Sequence, residues 1–187
     1  MLKKHFILIL SFAVIFVASL AVYTRNNSFP YYYHTTEPSK IEQVVNHHYN
    51  FNHPLLMLNT VSAVSFFSKP KSSQEMVETG RWVSAVYASL TLLLLMGCAY
   101  MVMGTPGAVM AGVFMAFNTK MIALSHYFKE DPTFLFGISL TLLLFSVFFR
   151  KPNLKMLIAV AIASAVASSG KYVGFIFLPI GIYIAAT

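Results

Sequence analysis

The chain alternates long apolar runs with short polar breaks. Phe6 to Tyr23 is apolar apart from Ser11 and Ser19, and Trp82 to Met103 is a second run. Pro106 to Leu124 is a third, interrupted late by Asn118, Thr119 and Lys120, and Thr133 to Phe149 is a fourth. From Met156 to Ala186 the chain is apolar again, broken at Ser168-Ser169-Gly170-Lys171. A bilayer-spanning helix needs roughly 20 apolar residues. The first four runs each fit one span, and the last stretch, too long for one, reads as two short spans. The pattern predicts an all-α, polytopic transmembrane bundle forming a single membrane module over residues 1–187. Its spans lie at about 6–23, 82–103, 106–125, 133–149, 156–169 and 172–187, and a long outer loop occupies about 24–81.

Composition agrees. The 187 residues are 57% hydrophobic and only 10% charged, against about 25% charged in a soluble domain. The net charge of +7 does not point to nucleic acid. The basic residues sit at span ends, with no basic face or aromatic platform, as membrane topology requires. The single cysteine, Cys98, lies in an apolar run and excludes an internal disulfide. Lys3, Lys4 and the small residues Ser19-Leu20-Ala21 resemble a cleaved signal, but the apolar run is longer than a signal core and reads as an uncleaved anchor.

Charge sets the orientation. With Lys3 and Lys4 inside, the inner segments carry five basic residues and no acid, while all six acids fall outside: Glu37, Glu42, Glu75, Glu78, Glu130 and Asp131. Gly104-Thr105-Pro106-Gly107 becomes a tight inner turn. Whatever the orientation, parity places the first loop and the 126–132 loop on one face.

The first loop is too structured in pattern for a linker. Tyr31-Tyr32-Tyr33 suits a membrane interface. Thr36-Glu37-Pro38-Ser39 reads as a helix start, with Thr36 or Ser39 as cap. Ile41, Val44, Val45 and His48 then recur at helical spacing, as on a short amphipathic helix. After Phe51-Asn52-His53-Pro54, the apolar segment Leu55 to Phe67 is too short to span and reads as a second interfacial helix. Lys69 to Thr79 is polar and reads as loop.

Taken in order, these motifs resemble those of GT-C class membrane glycosyltransferases that use polyprenyl-phosphate sugars, among them the protein mannosyltransferase-like and aminoarabinose transferase-like members. The matching signals are Thr36-Glu37-Pro38-Ser39-Lys40 soon after span one, the Phe51-Asn52-His53-Pro54 turn, and Gly80-Arg81 at the head of span two. Ser125-His126-Tyr127-Phe128-Lys129-Glu130-Asp131-Pro132 between spans three and four, and Gly170-Lys171-Tyr172 with Leu178-Pro179, complete the set. The resemblance covers nearly the whole chain. Members are longer, with more spans, so it implies an N-terminal module whose activity needs further spans in cis or from a companion chain. It also implies transfer of a sugar from a polyprenyl-phosphate donor to a lipid, glycan or protein acceptor, at the outer face of a bacterial cytoplasmic (inner) membrane. One departure matters. The family's first motif reads Asp-Glu, the Asp being held as the catalytic base, and here Thr36 stands in its place.

That chemistry needs a carboxylate to take a proton from the acceptor and cations or N–H groups to hold the leaving phosphate. Glu37 and Asp131 are the expected catalytic carboxylates. Their bland counterparts are a helix-start acid favoured by the dipole and a solvated residue beside Pro132. Glu130, His53, Arg81, Lys171 and Lys120 are the expected substrate-binding residues. His53 also fits an ordinary interfacial histidine, and the three cations fit side chains snorkelling to headgroups. His47 and His48 with Glu42 match no metal-ligand spacing. No cofactor is firmly implied, and a divalent cation beside the phosphate stays open. Two other classes remain: a catalytically inactive fragment or accessory subunit, favoured by Thr36, and a transporter piece. No span carries the polar row a transporter needs.

Overall fold

The computed structural model describes residues 2–177. The helices are α1 (Leu2–Thr24), α2 (Glu37–Asn46), α3 (Leu56–Ser68), α4 (Ser73–Ala116), α5 (Thr119–Ser125), α6 (Asp131–Arg150) and α7 (Leu154–Gly170), followed by a 3-10 turn at Tyr172–Ile176. Among the described residues there is no strand. By length and apolarity α1, α4 and α6 suffice to cross a membrane, and α3 and α7 are shorter apolar helices. The chain is an all-α integral membrane bundle.

α4 is not one straight rod. Gly104 has φ 68° and ψ −160°, a conformation that glycine adopts without strain. Pro106 follows in the first turn of the second limb, where its missing N–H is no loss. A Cβ on Gly112 would lie 2.7 Å from the Met96 sulfur and 2.8 Å from Ile15 Cδ1. In an unbroken helix Met96 and Gly112 would stand about 24 Å apart. The chain therefore reverses at Gly104, and residues 73–103 and 105–116 run antiparallel, as the expected turn requires.

Two elements differ from the sequence expectation. The second span's helix starts at Ser73 rather than Trp82, because the Ser72 hydroxyl caps it by accepting the Glu75 N–H. The segment Lys69 to Thr79 is thus mostly helix. The third span is broken. Its helix stops at Ala116, and Asn118 starts α5 by accepting from Lys120 N and Met121 N. The expected sixth span opens with the 3-10 turn and otherwise lies outside the described residues.

α1 packs on α4, where Ile15 and Tyr23 join Leu92 and Met96 in the membrane core. Its other face leaves Phe6, Ile9 and Val17 exposed, as lipid contact allows. α6 and α7 approach closely because Gly137 faces the Ala167 backbone and Gly170 faces the Thr133–Phe134 backbone, the small-residue packing typical of membrane helices. A second core lies at one end, where Ile41 and Val44 of α2 and Met57, Leu58 and Val61 of α3 close on Met76, Val77 and Phe128. Phe128 fits only because Gly80 has no side chain to meet its ring.

The two ends are distinct. Arg150 reaches the Met101 carbonyl near the Gly104 reversal. At the opposite end Lys171 meets Asp131, and the Tyr172 hydroxyl donates to the Phe51 carbonyl. The first loop and the 126–132 loop therefore share a face, as parity demands.

Candidate active site

A buried knot supports this face. Glu37 and Arg81 are both fully inaccessible. Arg81 Nε donates to Glu37 Oε1 at 3.0 Å and Nη2 to Oε2 at 2.6 Å, the paired fork geometry that makes such contacts strong. The remaining Arg81 donors go to the carbonyls of Asn27, Phe29 and Pro30. The guanidinium carbon also sits 3.4 Å from the centre of the Phe29 ring. The Phe128 N–H completes the knot by donating to Glu37 Oε1 at 2.9 Å. Arg81, expected at the substrate or else snorkelling to headgroups, does not line the cleft and turns inward instead. Every polar contact it makes is internal. Glu37 is likewise sealed from solvent with both oxygens engaged.

In front of the knot lies an open cleft of about 390 Å³, lined by α2, the turn after it, the 129–131 segment and Lys171. Of the expected site residues it gathers His53, Glu130, Asp131 and Lys171, together with Thr36. Lys120 is exposed on the first turn of α5 and stands apart from the cleft. Glu130 is buried against Lys40, whose Nζ donates to it at 2.8 Å and to the Phe128 carbonyl at 2.9 Å. Burial pulls the Lys40 pKa below its ordinary value, and the Glu130 charge opposes that shift. Asp131 accepts from Lys171 Nζ at 2.6 Å, and both side chains keep nearly a third of their exposure. This pair can be reached by a ligand. Lys129 faces no carboxylate among the described residues, and its Nζ lies 5.7 Å from the Tyr127 ring centre. Lys40, Lys129 and Lys171 against Glu130 and Asp131 leave the cleft one positive charge in excess, which suits an anion.

Thr36 holds the N-cap of α2 but makes no side-chain cap. Its hydroxyl contacts His34 Nδ1 at 3.0 Å instead. On the other side of this segment an apolar groove of about 650 Å³ runs between Phe29, Tyr33, Ile122, Ala123, His126 and Tyr127. No group of three or more potential metal ligands occurs among the described residues.

Sequence reasoning missed Lys40, Phe128 and His34. Lys40 and Phe128 stand in the sequence only as members of the two acidic motifs. His34 had no signal beyond lying two residues before Thr36.

No curated protein and no solved structure matches the chain. Residues 6–187, covering the membrane bundle, the buried knot and the cleft, match the dolichyl-phosphate-mannose-protein mannosyltransferase family. The chain belongs to that family, whose members move a sugar from a polyprenyl-phosphate donor.

Proposed function

We propose that this chain transfers a sugar from a polyprenyl-phosphate donor to the hydroxyl of a lipid, glycan or protein acceptor, within the cleft and at the extracytoplasmic face of a bacterial cytoplasmic membrane. The supporting observation is the partly exposed Asp131–Lys171 pair in a cleft with one unbalanced positive charge. An incoming phosphate can take Lys171 from Asp131. The lysine then neutralises charge as the bond to the anomeric carbon breaks, and the freed carboxylate meets sugar hydroxyls. Lys129 and His53 add donors at the rim. The apolar groove beside Tyr33 and Tyr127 suits the first isoprene units. Glu37 and Arg81 act as positioning residues: their knot holds the start of α2 against the 128–131 segment, and with it the two walls of the cleft. Glu130 serves the same end by fixing Lys40.

The accessory-subunit reading keeps one specific support, since Thr36 leaves the family's base position without a carboxylate. The two readings part in an assay of the complete gene product in nanodiscs, given a polyprenyl-phosphate mannose. Time-dependent release of the sugar supports the transferase, and none across a panel of sugars favours the accessory role. The face is read separately, in a Cys98→Ser background. Ser28→Cys is expected to react with an impermeant thiol reagent applied to spheroplasts, and Lys151→Cys to stay silent. The opposite pattern inverts the orientation.

A further inference from the structure

Thr36 occupies the family's base position, and a neutral threonine hydroxyl cannot by itself take up the acceptor's proton at neutral pH. It is not alone, however. Its Oγ1 lies 3.0 Å from His34 Nδ1, and the Thr36 backbone N–H points at the same nitrogen from 3.3 Å. A backbone N–H can only donate, so Nδ1 carries its lone pair there and the ring proton sits on Nε2. With that tautomer the Thr36 hydroxyl donates to Nδ1. The lone pairs of Oγ1 stay open to a donor in the cleft, which Thr36 lines.

The geometry points to a Thr36–His34 proton relay that stands in for the missing carboxylate. The acceptor hydroxyl donates to Thr36 Oγ1, and Thr36 passes its own proton to His34 Nδ1. As this happens, the acceptor oxygen's electron pair forms the bond to the anomeric carbon. The bond from that carbon to the phosphate oxygen breaks, and its pair leaves with the polyprenyl phosphate. The proton ends on the imidazole, which is only partly buried and can return it to water before the next turnover. This inference rests on the cleft being the transfer site.

The surroundings keep His34 ready. Burial lowers its pKa below the ordinary histidine value, and Lys129, Lys40 and Arg81 push the same way while Glu37 opposes them. The ring is therefore neutral at pH 7, the form a general base needs. Tyr127 packs against it with ring centres 4.7 Å apart, which holds its orientation.

Two measurements on the complete gene product test the relay. The first is nitrogen NMR of histidine-labelled protein in nanodiscs. His34 is expected to show a bare Nδ1 at pH 7, with a signal that moves on Thr36→Val. A protonated Nδ1 overturns the relay. The second is transfer of tritiated mannose from a polyprenyl phosphate in membranes of the source cell. His34→Ala and Thr36→Val are each expected to lower transfer about a hundredfold, the low end of general-base effects. The double variant should fall no further, since both act in one step. Thr36→Asp in the His34→Ala background should restore transfer. It should also move the acidic limb of the pH profile from the histidine range down to the carboxylate range. Full activity of either single variant overturns the relay and leaves the cleft assignment standing. Loss without rescue by Thr36→Asp, with the acidic limb unmoved, reduces His34 to a structural contact and overturns it as well. A silent wild type with a bare Nδ1 removes the relay and the transfer assignment together.

Discussion

Arg81→Ala is expected to destabilise the chain by about 3–5 kcal/mol, the usual cost of leaving one member of a buried ion pair alone. The loss is not only electrostatic. Glu37 would stay behind with no access to water, and the carbonyls of Asn27, Phe29 and Pro30 would lose their donor. The start of α2 should then detach from α4. Thermal unfolding in detergent should show a lower midpoint, and limited proteolysis should open the chain between Thr24 and Glu37. Replacing both partners with methionine should recover part of the loss, because two apolar groups leave no orphaned charge. Recovery stays partial, since the three carbonyls remain unpaired. An unchanged midpoint for Arg81→Ala would mean the knot does not hold this face together.

Lys171→Met should lower sugar transfer about a hundredfold, the scale of removing one group that stabilises developing charge. The substitution keeps the length and apolar stem of the side chain, and the pair it breaks is partly open to solvent. Folding should therefore be little affected, since such pairs contribute at most about 1 kcal/mol. The deficit should lie in kcat more than in KM, because charge on the phosphate oxygen grows as the bond breaks. Asp131→Asn should cost less than Lys171→Met, because the lysine would remain to meet the phosphate. Full transfer by Lys171→Met, with wild-type expression, would place the phosphate elsewhere in the cleft or on another face.

Much of the bundle was legible because apolar run length and helical period are local properties. The reversal at Gly104 followed from a Gly-x-Pro-Gly cluster between two runs, and the short length of α3 from its thirteen residues. Two helix starts were missed although their signals were present. Ser72 with Glu75 is the serine-to-glutamate spacing of a helix N-terminus. Asn118, noted as an interruption, is a capping residue that restarts the chain. In both cases the polar residues were weighed as breaks in hydrophobicity rather than as caps. The site was legible in part. Thr36, His53, Asp131 and Lys171, which lie in separate motifs of the sequence, line one cleft. That Glu37 takes Arg81 as partner, and Glu130 takes Lys40, could not be read. Those contacts join residues 44 and 90 positions apart, and no periodicity reaches that far. The pairing also reverses the meaning of exposure: a carboxylate chosen for reactivity proves to be the most enclosed.

The order of synthesis gives the knot a further consequence. Glu37 needs the Phe128 amide, and Lys40 needs the Phe128 carbonyl and Glu130, partners that follow them by 88 to 91 residues. At about 5–20 residues per second, a ribosome takes roughly 5–20 s to make that stretch. During the interval α2 and α3 emerge beside the membrane with their lower wall missing. Glu37 has Arg81 by then, but the slot that Gly80 leaves for the Phe128 ring stands empty. This end of the bundle therefore closes when the segment between α5 and α6 arrives and its phenylalanine fills the gap. Until the nascent chain passes residue 130, the cleft lacks the wall that Lys129, Glu130 and Asp131 give it.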